Sequence, residues 1–237
     1  MKKKAAFFGD RQERLDYVYA AGRRERVAEI VNLYPHTVSL NNFDDHVSKL
    51  QDLEVIFTTW GMSPLQKEHL DQLPNLKIVF YGAGSVQKFA RPFLEHGIKV
   101  CSSWRANAVP VSEYTLAQIL LANKGYYRNM RDCQTYEGRK NSPFKGRGNF
   151  GATVALLGAG AIGTLVINLL KPFHLNIIVF APFLPYERAT ELGVRKVSLE
   201  EAFRQGDVVS NHIANNEQTR GMLHGARFSL LQNHATF

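Results

Sequence analysis

At 237 residues, with 45% hydrophobic and 21% charged residues, the chain has the composition of one large or two small globular domains rather than a disordered tract. Its apolar runs are shorter than the roughly 20 residues needed to cross a bilayer. The formal net charge of +8 lies in separated places, namely Lys2 to Lys4, RRER from Arg23, and RKNSPFKGRG around Lys145. None of these forms a nucleic-acid-binding motif, so the charge reads as solvated surface or attraction of small anions.

In chain order, MKKKAAFFGD has only four apolar residues after its lysines, too few for a secretory signal, and reads as a first strand. Cys101 and Cys133 are the only cysteines and form no disulfide framework, which fits a reducing cytosol and predicts a cytoplasmic protein. The eight histidines are scattered and none makes the i, i+4 pairing of a helical metal site, so no metal is expected. After KAAFFG comes a polar helical stretch. VIFTTW then precedes SPLQKEHLDQL, where Ser63 is placed to cap a helix. LKIVFYG, a short helix through Phe93, and GIKVCSS complete the first series. Short, nearly continuous apolar β runs joined by helices predict a doubly wound parallel sheet buried on both faces.

A helix from about Pro110 to Met130 follows, with Asn107 as its expected cap and Pro110 in the first turn. Val111, Tyr114, Leu116, Ile119 and Leu120 cover more than one stripe of it, which predicts burial between two bodies. Past a polar, basic segment to Gly151, the alternation resumes with ATVALLG, a helix to Leu170, NIIVF, a helix from Pro185 to Leu192, RKV, SLEEAF, DVVSNHI and HATF. Ser198 and Glu201 have capping-box spacing. The fold class is therefore α/β, with two doubly wound parallel-sheet units. Residues 1–106 form the first, 107–135 a connecting helix, and 136–237 the second.

Gly158, Gly160 and Gly163 fall at G-x-G-x-x-G, after a strand and at the start of a helix. In that context the first glycine allows a tight turn, the second allows close approach of a pyrophosphate, and the third lets helix and strand pack closely. Free amides and the helix dipole then favour the phosphates. Ala181 stands at the end of the next strand, where an acid would hold the adenosine ribose. It neither accepts from a ribose hydroxyl nor repels a 2′-phosphate, and Arg188, on the following helix, is the nearest arginine. NAD and NADP both stay open as cofactors.

LKIVFYGAGSV, GIKVCSSWRANAVPVSEYTLAQILLA with Val111-Ser112-Glu113, LLGAGAIG, and VSLEEAFRQGDVVSNHIANNEQTRGML together resemble the D-2-hydroxyacid dehydrogenase family along most of the chain. That resemblance implies a flavodoxin-like substrate domain followed by a partial Rossmann NAD(P)-binding domain. It implies hydride transfer between NAD(P)H and a small 2-keto or 2-hydroxy acid, and a homodimer in the complete protein. The amides of Ala83, Gly84 and Ser85 would hold the substrate carboxylate. Ala161 and Ile162 would lie under the pyrophosphate, and Ile213, Ala214 and Thr219 would line the nicotinamide side. His212 and Asp207 read as structural residues.

The departures are equally specific. Ala181 replaces the acid usual in NAD-preferring members, and Val86 stands where a family Asp follows the substrate loop. The family's catalytic Arg, Glu and His lie in a continuation of LLQNHATF, past Phe237. No catalytic residue is therefore assigned here, and the chain is expected to be a C-terminally incomplete, inactive dehydrogenase. The alternative is a non-catalytic NAD(H)-binding or interaction protein, like the family's corepressor members.

Overall fold

The computed structural model describes residues 1–141, 146 and 148–237, so the Lys145 part of the basic segment lies outside the described residues. Two compact units result, Met1–Asn107 and Ala108–Phe237. The first contains β1 (Lys4–Phe7), α1 (Gln12–Val18), α2 (Arg23–Ile30), β2 (Asn32–Leu33), α3 (Phe43–Val47) and β3 (Val55–Thr58). It continues with α4 (Lys67–Leu70), β4 (Ile78–Tyr81), α5 (Ala90–Glu95) and β5 (Lys99–Ser102). All strand pairs are parallel, in the order β2-β1-β3-β4-β5. This is the flavodoxin-like order. Successive strand residues point to opposite faces, so Ala6, Phe8, Ile56 and Val79 join the main core while Ala5 and Val55 are buried on the other side.

Helix α6 (Trp104–Asn123) begins in the first unit and continues into the second. After it come α7 (Tyr126–Asp132), α8 (Tyr136–Asn141), β6 (Thr153–Leu157), α9 (Ala161–Leu170), β7 (Asn176–Phe180) and α10 (Tyr186–Leu192). The unit ends with β8 (Arg195–Lys196), α11 (Leu199–Gln205), β9 (Val208–Asn211) and α12 (Gly225–Phe228). Its parallel sheet runs β8-β7-β6-β9, the 3-2-1-4 part of the Rossmann strand order. Val154, Leu156 and Val179 pack on one face and Ala155, Leu157 and Ile178 on the other, which explains the unbroken apolar strands in the sequence. Ser198 caps α11 as its spacing predicts: Glu201 N donates to Ser198 Oγ at 3.1 Å, and Ser198 N to Glu201 Oε2 at 2.8 Å. Among the described residues no helix is long and apolar enough to cross a membrane.

Four local expectations are corrected. Ser63 does not cap α4, whose cap position is Gln66; its buried hydroxyl instead donates to Asp10 Oδ1 at 2.5 Å, linking the ends of β1 and β3. Helix α6 starts before Asn107 rather than at it, the first turn closing from Asn107 N to Ser103 O at 2.9 Å. Pro110 is consequently inside the helix, where it leaves Ala106 O without a helical donor. The helix stops at Asn123 rather than Met130, and Gly125, with φ +70°, reverses the chain before α7.

The buried stripe of α6 is Ala108, Ser112, Thr115, Ile119 and Asn123, while Val111 and Tyr114 are 36% and 65% exposed. Small hydroxyl residues can occupy that stripe because each satisfies itself locally: Ser112 Oγ donates to Val109 O and Thr115 Oγ1 to Val111 O. The HATF strand reduces to a single parallel bridge, Val208 to Thr236.

Candidate functional site

The second sheet places its ligand crevice where strand order reverses, between the carboxyl ends of β6 and β9. The three glycines after β6 play different parts there. Gly158 has φ +99°, and a Cβ on it would sit 2.9 Å from His212 O. Only glycine fits that crossing of two strand ends. A Cβ on Gly163 would sit 2.1 Å from Gly158 O, so this glycine lets α9 close onto the turn. Gly160, at φ −74° and ψ −157°, would direct a Cβ into open space, with nothing within 4 Å. The fold itself does not require glycine at 160, and the turn is open on that side.

Helix α9 begins directly after Gly160, without a side-chain cap. Its first closing bond is Thr164 N to Gly160 O, 2.9 Å, so the amides of Ala161, Ile162 and Gly163 have no intrahelical acceptor. They form the positive end of the helix dipole. These residues fit a dinucleotide: a turn open to close approach, three donors, and an adjoining cavity of about 530 Å³.

The cavity is bounded by the loops after β6, β7 and β9, including Gly160, Ala181, Phe183, His212, Ala214 and Thr219. Ala181 is 9% exposed and Phe183 91% exposed at its edge. Arg188, the arginine nearest in sequence, is committed elsewhere, its Nη1 lying 2.6 Å from Glu191 Oε2 on the exposed side of α10. A cation not anticipated from the sequence stands at this loop instead. Lys196 is aligned with Val179 across the β7–β8 pair, donates to Leu184 O, and lies 4.4 Å from the centroid of the Tyr186 ring.

After β9, Asn211 Oδ1 accepts from Ile213 N at 3.0 Å, fixing the turn that carries Ile213 and Ala214. Thr219 laces the same loop, donating from Oγ1 to Ala214 O at 2.5 Å while Asn216 N donates to Oγ1 at 3.0 Å. The His212 ring is 3.0 Å from Ser210 Oγ through Nε2, and burial pushes its pKa below the usual 6.5, so it is neutral at pH 7. Asp207 is buried at the other end of β9. Its Oδ2 accepts from Thr153 N at 2.7 Å, and its Oδ1 is 2.8 Å from His234 Nε2, a strand-joining arrangement far from the cavity end of β9.

In the first unit, β4 ends at Tyr81 and leads into the loop containing Ala83, Gly84 and Ser85. Ser102, opposite Tyr81 on β5, donates through Oγ to both Ala83 O (3.0 Å) and Gly84 O (2.5 Å). All peptide bonds described are trans, so holding these two carbonyls turns the amides of Gly84 and Ser85 the opposite way. Among the described residues no hydrogen bond uses the amides of Ala83, Gly84 or Ser85. Asn107, expected as a helix cap, places its carboxamide nitrogen 3.1 Å from where a Gly84 Cβ would be. Val86 packs against the main core of this unit, and its carbonyl accepts from Phe89 N and Ala90 N. An acid at that position is dispensable for the loop's fold.

The geometry agrees with the relatives of the chain. Residues 116–237 match the family described as D-isomer specific 2-hydroxyacid dehydrogenase, NAD binding domain. A Staphylococcus saprophyticus relative carrying a 2-hydroxyacid dehydrogenase name is 28% identical over 186 residues, 77% of this chain and 58% of its own length. D-3-phosphoglycerate dehydrogenase of Methanocaldococcus jannaschii is 24% identical over 194 residues, 81% of this chain and 37% of its own length. The chain therefore spans less than two thirds of either relative. A solved D-2-hydroxyisocaproate dehydrogenase shares the fold with a TM-score of 0.73 at 19% identity, over 97% of this chain and 68% of that one. With an open glycine turn, an uncapped helix start and this matched sequence block, the chain belongs to the D-isomer specific 2-hydroxyacid dehydrogenase family.

Proposed function

We propose that the chain is the cofactor- and carboxylate-binding part of an oxidoreductase that interconverts small 2-keto and 2-hydroxy acids with NAD(H) or NADP(H). The observation that carries this reading is the open Gly160 turn beside three free helix amides. When bound, the nicotinamide supplies or accepts a hydride at its C4. The Ala161 and Ile162 amides hold the pyrophosphate, and Ile213, Ala214 and Thr219 shape the nicotinamide side of the cavity. The Ala83, Gly84 and Ser85 amides hold the substrate carboxylate, with Ser102 fixing the direction of the last two. In the same reading the complete enzyme is a cytoplasmic homodimer that uses no nucleic-acid partner.

No residue of this chain is assigned the proton. His212 is neutral and bonded to Ser210, and Asp207 is engaged by Thr153 and His234. The 237 residues alone are thus proposed to bind cofactor without turning over a 2-keto acid. The purified chain should bind NADH or NADPH in a fluorescence titration yet oxidise neither in the presence of glyoxylate or hydroxypyruvate. Absence of nucleotide binding by the folded chain would overturn the cofactor reading. Robust turnover would overturn the inactivity, and His212 would be the first residue to mutate.

A further inference from the structure

The second unit carries another recess, at the other end of β9 from the cofactor cavity. It encloses about 440 Å³, within the roughly 300–1,000 Å³ of small-molecule pockets. Helix α7 contributes Arg128 and Arg131 to its wall, and the last segment contributes Asn233, His234 and Thr236. Thr236 fixes where the recess sits, because it bridges to Val208, the first residue of β9.

The chemistry of the wall is cationic. Arg128 and Arg131 are three residues apart, so their side chains share one face of α7. Among the described residues no carboxylate lines the recess. Asp132 stands outside the lining, 3.6 Å from Arg128 Nε and 2.7 Å from Arg131 Nε, and holds the two guanidiniums together. Across from them His234 is tied through Nε2 to Asp207 Oδ1 at 2.8 Å. Among the described residues no hydrogen bond uses the amides of Asn233 or His234. The wall is rich in donors and poor in negative charge.

We propose that this recess is an anion site that takes a phosphate group, free or carried by a small metabolite. A guanidinium fork offers parallel donors to phosphate oxygens, and two forks on one helix face can share a single phosphate. The net charge of +8 favours the arrival of such an anion. Once bound, it joins α7 to the segment that Thr236 fastens to β9, through Thr236 N to Asp207 O at 3.0 Å and Val209 N to Thr236 O at 2.8 Å. Occupancy therefore secures that edge of the sheet, which makes this an effector site separate from the hydride-transfer machinery.

The test is a ¹H–¹⁵N NMR titration of the native chain with inorganic phosphate and with glycerol 3-phosphate, at constant ionic strength. Neither probe has a carboxylate, and the Ala161 and Ile162 amides report separately on phosphate at the glycine turn. Saturable shifts are expected at the Arg128 and Arg131 Nε–H groups and at the Asn233 and His234 amides. Tighter binding of glycerol 3-phosphate marks an organic phosphate as the ligand, and equal or tighter binding of inorganic phosphate marks the free anion. Arg128→Gln combined with Arg131→Gln should weaken binding at this recess about tenfold or more, while Arg128→Lys with Arg131→Lys keeps it saturable. Undiminished binding in the folded glutamine variant would overturn the proposal. So would native-chain shifts that are confined to Ala161 and Ile162 or that fail to saturate, a result that needs no variant to fold.

Discussion

Replacing Gly160 by valine separates what the loop does for a ligand from what it does for the fold. The backbone at 160 is extended, with φ −74° and ψ −157°, and a Cβ would meet nothing within 4 Å. Valine is a poorer helix N-cap than glycine, a cost of roughly 0.5–1 kcal/mol, partly offset by lower chain entropy in the unfolded state. The net change in stability is expected to stay under about 1 kcal/mol, a few degrees in Tm for a domain of this size. The isopropyl group would instead occupy the space a pyrophosphate needs, so cofactor affinity should fall by about 100-fold or more, roughly 2.7 kcal/mol.

Gly163→Ala gives the opposite pattern. Its Cβ would lie 2.1 Å from Gly158 O, so α9 must move off the turn, and a loss of about 3 kcal/mol or more is expected. Thermal melts and calorimetric titrations of both variants form the assay. A Gly160→Val chain that binds as tightly as the native one, or that melts as early as Gly163→Ala, would refute the assignment.

Ala181→Asp should shift the cofactor preference toward NADH, adding ribose hydrogen bonds and repelling a 2′-phosphate, with NADPH weakened about tenfold or more; an unchanged NADPH-to-NADH ratio in calorimetric titrations contradicts this. Ser102→Ala removes the hydroxyl that holds Ala83 O and Gly84 O, a loss of about 1 kcal/mol that should lower Tm by a few degrees and shift the Gly84 and Ser85 amide resonances. Unchanged resonances there would show that the loop is held by other contacts. His212, neutral by burial, binds its proton in the unfolded chain near pH 6.5 but in the folded chain only at lower pH. The unfolded state therefore gains protons first, and stability should decline as pH falls below 6.5. In Tm against pH, His212→Gln should flatten part of that decline, and an identical slope for both proteins would argue against the burial effect.

The second sheet was legible in the sequence because its strands are buried on both faces and its turn requires glycine for steric reasons that do not depend on distant residues. NIIVF and VALLG read as parallel strands, and the Ser198–Glu201 box fixed the start of α11. Helix α6 was harder. Pro110 marks a helix start by local rules, yet the helix passes through it, and the buried stripe is small and polar because hydroxyls at 112 and 115 bond back to their own helix. Lys196 and Ser102 were invisible for another reason. Each acts through strand register, Lys196 opposite Val179 and Ser102 opposite Tyr81, and register is a tertiary fact that residue spacing does not encode.

The central claim is that a nicotinamide dinucleotide lies across the Gly160 turn with its pyrophosphate on the start of α9. An amide-resolved ¹H–¹⁵N NMR titration of the chain with NADPH tests it most directly. The Ala161 and Ile162 amides should show the largest shifts, accompanied by Ile213 and Ala214, with the β1–β5 sheet unmoved. Saturable binding that leaves Ala161 and Ile162 in place would contradict the account.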